Sequence, residues 1–218
     1  METKIIMFGN LKGGVGKSIL TSYFANYLAA QKKMTLIIDG DVSQHTSDIY
    51  DKSDSLQDYL SIIKYNLSDG DIGEFVFNQC QGYDYVLVDI PGTIQQDGII
   101  PLLSMMDKII IPTSFAEEDI SSSIRFVHIL NNLESNLEYK VLINKYEVQY
   151  SHEVREAEKN GFVEYESIFG EGNILEKGIR VERSLLQNNF KSGEYDLTKR
   201  NAGRVNETMD LIYEFIQK

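Results

Sequence analysis

Short runs of consecutive apolar residues alternate along the chain with longer segments in which apolar residues recur every three or four positions. Runs such as Leu36-Ile37-Ile38 and Ile109-Ile110-Ile111 are apolar at every position, which predicts strands covered on both faces. The predicted strands are Lys4–Gly9, Met34–Asp39, Tyr83–Asp89, Lys108–Pro112, Tyr139–Asn144 and, by a weaker pattern, Phe162–Glu166.

Between these runs, three segments carry an apolar stripe with the period of a helix. The stripes are Ile19, Leu20, Tyr23, Phe24, Tyr27 and Leu28; then Ile120, Ile124, Val127, Leu130 and Leu133; and finally Val205, Met209, Ile212 and Ile216. Strands that alternate with helices predict an α/β fold with a mostly parallel central sheet and helices on both faces. Such sheets bind ligands beyond the carboxyl ends of their strands, so candidate chemistry is sought there.

The composition supports a single domain spanning residues 1–218. A chain of 218 residues is long enough for one core, and its three prolines do not form a linker. The lone Cys80 excludes an internal disulfide and is interpreted as a buried small hydrophobe. We find no secretory signal and no apolar run of about 20 residues, so we expect a cytoplasmic protein without membrane insertion.

A glycine-rich loop lies between the first predicted strand and the first predicted helix, and it reads Lys12-Gly13-Gly14-Val15-Gly16-Lys17-Ser18. Glycines permit a tight turn whose amides, with the helix N-terminus and the adjoining Ile19, can surround phosphate. Lys17 would reach the β- and γ-phosphates, and the Ser18 hydroxyl would bind Mg²⁺. The ordinary Walker A pattern requires glycine where this chain has Leu11.

With Lys12 beside that position, the loop resembles the deviant Walker A motif of the ParA/MinD family of P-loop ATPases. The resemblance implies ATP and Mg²⁺ as ligands and a homodimer that closes face to face around ATP. Lys12 would be the signature lysine, which crosses to the nucleotide of the partner subunit and acts as an arginine finger does. The resemblance also implies a slow basal rate of hydrolysis.

Carboxylates follow two further predicted strands. Asp39 and Asp41 are two apart and point to the same side of an extended backbone. By resemblance, Asp41 positions the attacking water and Asp39 supports the Mg²⁺ shell, although Val42 departs from the proline usual in the family. Asp89 ends an apolar strand in a Walker B arrangement and would bind the metal, and the Pro91-Gly92 turn could sense the γ-phosphate.

The residues expected to contact the nucleotide base leave two alternatives open, ATP and GTP. Asn144 ends a strand where many family members use asparagine to read adenine. The segment Asn144-Lys145-Tyr146-Glu147 also resembles the guanine-reading motif of GTPases, with glutamate in place of aspartate. Lys12 and the Asp39/Asp41 pair, which GTPases do not need, favour ATP.

The second half of the chain favours the DNA-segregation branch of this family. From Lys177 to Arg204 the chain carries seven basic against three acidic residues, whereas its overall net charge is −12. The candidate DNA contacts are Arg180, Arg183, Lys199, Arg200 and Arg204. The resemblance implies an ATP dimer that binds non-specific DNA, associates with the nucleoid, and is reset by a ParB-type adaptor bound at a centromere-like site.

Other uses of the loop remain as alternatives. The C-terminal segment is amphipathic but acidic, which favours packing on the core over the membrane binding of MinD-like proteins. A MinD-like switch that positions a protein or membrane-associated cargo without DNA binding is the main alternative. The net charge of −12 works against indiscriminate binding to nucleic acid or anionic lipid. A small-molecule ligase would need a second substrate pocket, for which the sequence shows no residues.

Overall fold

The computed structural model describes residues 2–40, 58–92, 99–133, 137–146, 163–180 and 202–218. Its strands are β1 (Lys4–Phe8), β2 (Thr35–Asp39), β3 (Leu60–Lys64), β4 (Tyr85–Asp89), β5 (Lys108–Thr113), β6 (Glu138–Tyr146) and the two-residue β7 (Ile179–Arg180). Its helices are α1 (Lys17–Ala30), α2 (Ile72–Gln79), α3 (Ile99–Ser104), α4 (Glu117–Asn131), α5 (163–169) and α6 (Ala202–Gln217).

The strands of the described residues form one parallel sheet in the order β3-β2-β4-β1-β5-β6-β7. Strand β1 lies between β4 and β5, so the loop after it opens at the middle of the carboxyl edge. The register pairs Asp39 directly with Asp89 and places both at that edge. The predicted mostly parallel α/β fold is confirmed.

Alternate strand residues face two separate cores, which is why the strands are apolar at nearly every position. One core joins the sheet to α1 and α6, and Ile6, Ile37, Leu87, Ile110 and Leu142 contribute to it. The other joins the sheet to α2, α3, α4 and α5, and Met7, Ile38, Val88, Ile109 and Ile143 contribute to it. Helices therefore cover both faces.

The C-terminal helix α6 confirms its predicted apolar stripe, because Val205, Met209, Ile212 and Ile216 are all buried against α1 and the sheet. Its acidic Asp210 accepts a hydrogen bond from the Tyr27 hydroxyl of α1, so charge on this helix also serves packing. None of the helices in the described part of the chain combines the length and the apolar character that crossing a bilayer requires.

Two predictions of local structure need correction, and three short elements are additions to the predicted fold. The predicted strand at Phe162–Glu166 is wrong where it is described, because residues 163–169 form α5 and bury Tyr165 and Phe169 at helical spacing. The predicted stripe of α4 is partly wrong, since Ile124 is 40% exposed whereas Ser122 and Ser123 are buried. The edge strand β3 and the short helices α2 and α3 were not predicted from the pattern.

Candidate nucleotide-binding site

The glycine-rich loop occupies the space between the end of β1 and the start of α1. Gly13 and Gly14 are exposed at its crest, whereas Val15 is buried beneath them. Gly16 is the residue that caps α1, and its φ of 104° lies in the region that favours glycine. Because glycine has no side chain to accept from the first-turn amides, the positive end of α1 suits a phosphate group.

Lys17 begins α1 and is only 8% exposed. Its ammonium group donates to the carbonyl oxygen of Lys12 at 3.0 Å, across the width of the loop. This contact holds the charge of Lys17 beside the loop amides, which is where the β- and γ-phosphates of a nucleotide are expected. The predicted contact of Lys17 with these phosphates stays a prediction.

Oxygen ligands for a divalent cation converge next to the loop. The Ser18 hydroxyl donates to Asp89 Oδ1 at 3.1 Å, and Asp89 and Asp39 are both fully buried on neighbouring strands. Hydroxyl and carboxylate oxygens are the ligands that Mg²⁺ prefers, so these residues fit the ion. Among the described residues, no cluster of three or more histidine, cysteine or acidic side chains could hold a metal alone. Bound Mg²⁺ would accordingly need phosphate and water oxygens as well.

The Lys12 side chain contacts acidic residues of its own subunit. Its ammonium group lies 2.7 Å from Asp119 Oδ1 and 2.9 Å from Glu118 Oε2, both in the first turn of α4. The hydrogen bonds that Lys12 donates to Asp119 and Glu118 raise the pKa of Lys12, and the bond to Glu118 lowers the pKa of Glu118. Lys12 is therefore a protonated cation held in an intramolecular ion pair.

The two carboxylates that hold Lys12 differ in their own surroundings. The Glu118 side chain is 85% exposed, whereas that of Asp119 is 13% exposed. The Ser114 hydroxyl donates to the second oxygen of Asp119 at 2.6 Å, and the Tyr165 hydroxyl donates to the Ser114 carbonyl at 2.8 Å. Asp119 is thus the fixed acceptor for Lys12, and Glu118 is the solvated one.

Asn144 reaches the loop from the end of β6. Its amide nitrogen donates to the Val15 carbonyl at 2.7 Å, and the residue is 5% exposed. This hydrogen bond ties β6 to the loop at its buried residue, so Asn144 supports the loop directly. Its predicted contact with adenine stays a prediction.

The turn after β4 packs closely on the same loop. A Cβ atom on Gly92 would lie 2.7 Å from the Leu11 carbonyl oxygen and 2.9 Å from that of Asn10. Only glycine allows this approach without a shift of backbone. A cavity of about 10 Å³, roughly the room for one water, lies between the loop and this turn. Because of this contact, a movement of the Pro91-Gly92 turn would also shift the backbone of the glycine-rich loop.

Several predicted site residues cannot be placed. Asp41, Arg183, Lys199 and Arg200 lie outside the described residues. Arg180 belongs to β7, and Arg204 belongs to the N-terminal part of α6. Sequence reasoning missed Asn10, Glu118 and Asp119, which contact Lys12, and Ser114, which donates to Asp119. For Ser114, Glu118 and Asp119 the sequence signal is a polar stretch between a predicted strand and a predicted helix, and for Asn10 it is the position next to the glycine-rich loop.

The family model for the CobQ/CobB/MinD/ParA nucleotide-binding domain matches residues 6–175. Solved structures of similar fold include a putative plasmid partition protein of Borrelia burgdorferi bound to AMPPNP, with a TM-score of 0.74 and 20% identity over 99% of both chains. The MinD cell division protein of Aquifex aeolicus matches with a TM-score of 0.70 and 20% identity, covering 99% of this chain and 98% of that one. Apo McdA of Cyanothece matches with a TM-score of 0.72 and 16% identity, covering 96% and 98% of the two chains.

A curated relative is an uncharacterized ATP-binding protein of Methanocaldococcus jannaschii. It is 28% identical over an alignment of 120 positions, and the match covers 43% of this chain. The match spans 46% of the length of that relative, about half. The family model describes a nucleotide-binding domain, and the residues it matches include the glycine-rich loop.

Proposed function

Because the chain belongs to the CobQ/CobB/MinD/ParA nucleotide-binding family and is a ParA/MinD-type ATPase, we propose that it is a DNA-partitioning switch driven by Mg-ATP. ATP closes two subunits into a sandwich dimer, the dimer binds DNA without sequence preference, and hydrolysis returns it to the monomer. A ParB-type adaptor stimulates the hydrolysis, and the basal rate is slow.

The observation that carries this proposal is the second lysine of the loop. Lys12 sits at the loop rim with a side chain that is 34% exposed, and among the described residues two carboxylates of α4 hold it. A cation at this position can be transferred to the phosphates of a facing subunit, where it would stabilise the charge of the transition state. Lys17 and Ser18 with Asp89 supply the binding of phosphate and Mg²⁺ within each subunit.

Two further facts support DNA as the cargo. Plasmid partition proteins are among the structures of similar fold, and the one with a TM-score of 0.74 carries a nucleotide analogue. The residues from Lys177 to Arg204 are net positive in an acidic chain. Locally clustered positive charge can bind the phosphate backbone despite an unfavourable net charge.

The alternative is a positioning switch for a protein cargo without DNA binding. It is favoured by the MinD cell division protein, which matches nearly as well, and by the complex of that protein with MinC, which matches with a TM-score of 0.71. The net charge of −12 also opposes binding to nucleic acid.

Sedimentation of the purified protein tests the two functions. The protein is run with ADP, with ATP and with a slowly hydrolysed ATP analogue, each with and without non-specific duplex DNA at two salt concentrations. We expect a dimer only with ATP or its analogue, and a salt-sensitive DNA complex only with that dimer. An ATP dimer that ignores DNA would favour the positioning switch, and a protein that stays monomeric with ATP would contradict both.

A pair of matched variants locates the DNA contact. Lys199→Gln with Arg200→Gln removes two positive charges from the proposed DNA surface. Lys32→Gln with Lys33→Gln removes two charges just beyond the C-terminus of α1, outside the positive segment from Lys177 to Arg204. Only the first pair should reduce the salt dependence of DNA binding, by a slope change of about 2 for two lost phosphate contacts.

A further inference from the structure

The side chain of Asn10 lies where β1 ends and the phosphate loop begins, and the residue is 3% exposed. Its amide nitrogen donates to the Pro112 carbonyl at 2.8 Å and to Ser123 Oγ at 2.9 Å. Its amide oxygen accepts from the Lys12 N–H at 3.1 Å and from the Ser122 hydroxyl at 2.8 Å. A primary amide has two donors and two acceptor lone pairs, so all of its hydrogen-bonding capacity is used.

The partners also fix the orientation of this amide. The Pro112 carbonyl can only accept and the Lys12 backbone N–H can only donate, so the nitrogen and the oxygen of Asn10 cannot exchange places. Asn10 therefore joins three elements in one geometry: the loop through Lys12, the end of β5 through Pro112, and α4 through Ser122 and Ser123.

The contacts on α4 and the contacts of the Lys12 ammonium group lie on adjacent turns of the same helix. Ser122 and Ser123 follow Glu118 and Asp119 by four positions each, so they lie one turn further along the same face. Ser123 also donates to the Asp119 carbonyl at 2.8 Å. The backbone of Lys12 is thus fixed to α4 through Asn10, while its side chain is fixed to the preceding turn.

This arrangement also explains the buried face of α4. Serine is a poor choice for a helix surface that faces a core, since a buried hydroxyl needs a partner. Asn10 supplies that partner for both serines, and Phe126 and Leu130 then continue the buried face. Asn10 makes four hydrogen bonds in all, and one of them goes to the backbone of Lys12.

We propose that Asn10 is a positioning residue that locks the backbone of Lys12 to α4, so that the loop and the helix move as one unit and the Lys12 side chain always starts from the same backbone position. It contacts neither nucleotide nor cation and acts through Lys12. The consequence for hydrolysis rests on the proposed function, whereas the consequence for the loop does not.

The test compares Asn10→Ala, Ser122→Ala and Ile212→Ala with the unsubstituted protein. Asn10→Ala removes all four hydrogen bonds, and Ser122→Ala removes one of them while leaving the rest of the site intact. Ile212→Ala is the control for lost stability, because Ile212 is fully buried in α6 away from the loop. For each protein we measure the melting temperature, hydrogen exchange of the Lys12 N–H by NMR, the affinity for a fluorescent ADP analogue, and ATP turnover.

We expect Asn10→Ala to speed exchange of the Lys12 N–H by about tenfold or more, with a smaller effect in the same direction for Ser122→Ala. ADP affinity should stay within about threefold, and turnover should fall by about tenfold, since orientation is lost but phosphate binding is kept. Ile212→Ala should lower the melting temperature without changing exchange at Lys12.

The proposal would be overturned if faster exchange of the Lys12 N–H merely accompanied a lower melting temperature, to the same extent in all three variants. Unchanged exchange of this N–H in Asn10→Ala would also overturn it. If Asn10→Ala does not fold, Ser122→Ala decides by the same criterion. If the unsubstituted protein neither dimerises nor hydrolyses ATP, the proposed function fails while the exchange data still decide the role of Asn10.

Discussion

The ammonium group of Lys12 lies 2.7 Å from Asp119 Oδ1 of its own chain. The same ammonium group is the one that the proposed mechanism sends to the nucleotide of a facing subunit. It cannot occupy both positions, so the ion pair with Asp119 competes with formation of the active dimer. Glu118 adds a second, exposed acceptor that water can replace at little cost.

The first prediction is that Asp119→Asn frees Lys12. The substitution keeps the shape of the side chain and its contact with Ser114 but removes the charge, so the pKa of Lys12 should fall towards its ordinary value. Acylation of Lys12 at about pH 9, measured by mass spectrometry, should then rise several-fold, because only the neutral amine reacts. Glu118→Gln should have a smaller effect, and equal reactivity in Asp119→Asn and the unsubstituted protein would contradict the assignment of Asp119 as the fixed acceptor.

The second prediction concerns the pH range over which this contact persists. The pKa of Lys12 is raised, so its contribution is complete below the unfolded value of 10.5 and is lost as pH rises through the higher folded value. The pKa of Glu118 is lowered, so its contribution is complete above 4.5 and is lost as pH falls through the lower folded value. The chemical shift of the Lys12 ammonium group should therefore stay constant between about pH 5 and pH 10. A titration step near neutral pH would count against the ion pair.

Much of the fold follows from local patterns, and these patterns identify the central strands. Strands such as β2 and β4 are buried on both faces and are apolar at most positions, so a five-residue run predicts them. The edge strand β3 is only partly buried and includes Ser61, and α2 is eight residues long, so neither has a decisive pattern. For α2 the best local signal is Asp71, whose side chain caps the first turn.

The residues of the candidate site likewise include some that the sequence predicts and some that it does not. Lys17, Ser18 and Asp89 can be predicted because each lies in a short motif with a defined place at a strand end or helix start. The partners of Lys12 cannot, because Glu118 is 106 positions away and belongs to a helix whose predicted buried face was misassigned. Contacts of this kind depend on which strands are neighbours, and the order of strands is not a local property of the sequence.

The third prediction separates the two loop lysines. Lys17→Ala removes a cation that should contact the phosphates within the subunit. Nucleotide affinity should therefore fall about 10- to 100-fold, which is the loss expected when one or two charged hydrogen bonds are removed. Lys12→Ala should leave affinity for ADP nearly unchanged and abolish the ATP-dependent dimer and turnover. Calorimetry with ADP and sedimentation with ATP give the two readouts. Equal losses of ADP affinity in both variants would argue against a role for Lys12 in the partner subunit.

The fourth prediction tests the cation site. Ser18→Ala removes the hydroxyl that lies 3.1 Å from Asp89, so the gain in ATP affinity on adding Mg²⁺ should largely disappear. Affinity for ATP in the presence of EDTA should change little, because the loop amides remain. Ser22→Ala makes the same change one turn further along α1 and serves as the control. A full response to Mg²⁺ in Ser18→Ala would exclude this hydroxyl as a ligand.

The fifth prediction uses two glycines of the site with opposite surroundings. Gly92→Ala would place a Cβ atom 2.7 Å from the Leu11 carbonyl oxygen, so backbone must shift, and we expect a loss of about 1–3 kcal/mol in the free energy of unfolding. Gly13→Ala meets no atom within 4 Å and should leave that free energy almost unchanged. Its methyl group would instead lie at the exposed crest of the loop, where it should obstruct phosphate and weaken nucleotide binding. Urea unfolding and ADP titration of both variants check the pair, and a stable Gly92→Ala protein would show that the turn and the loop are not in contact.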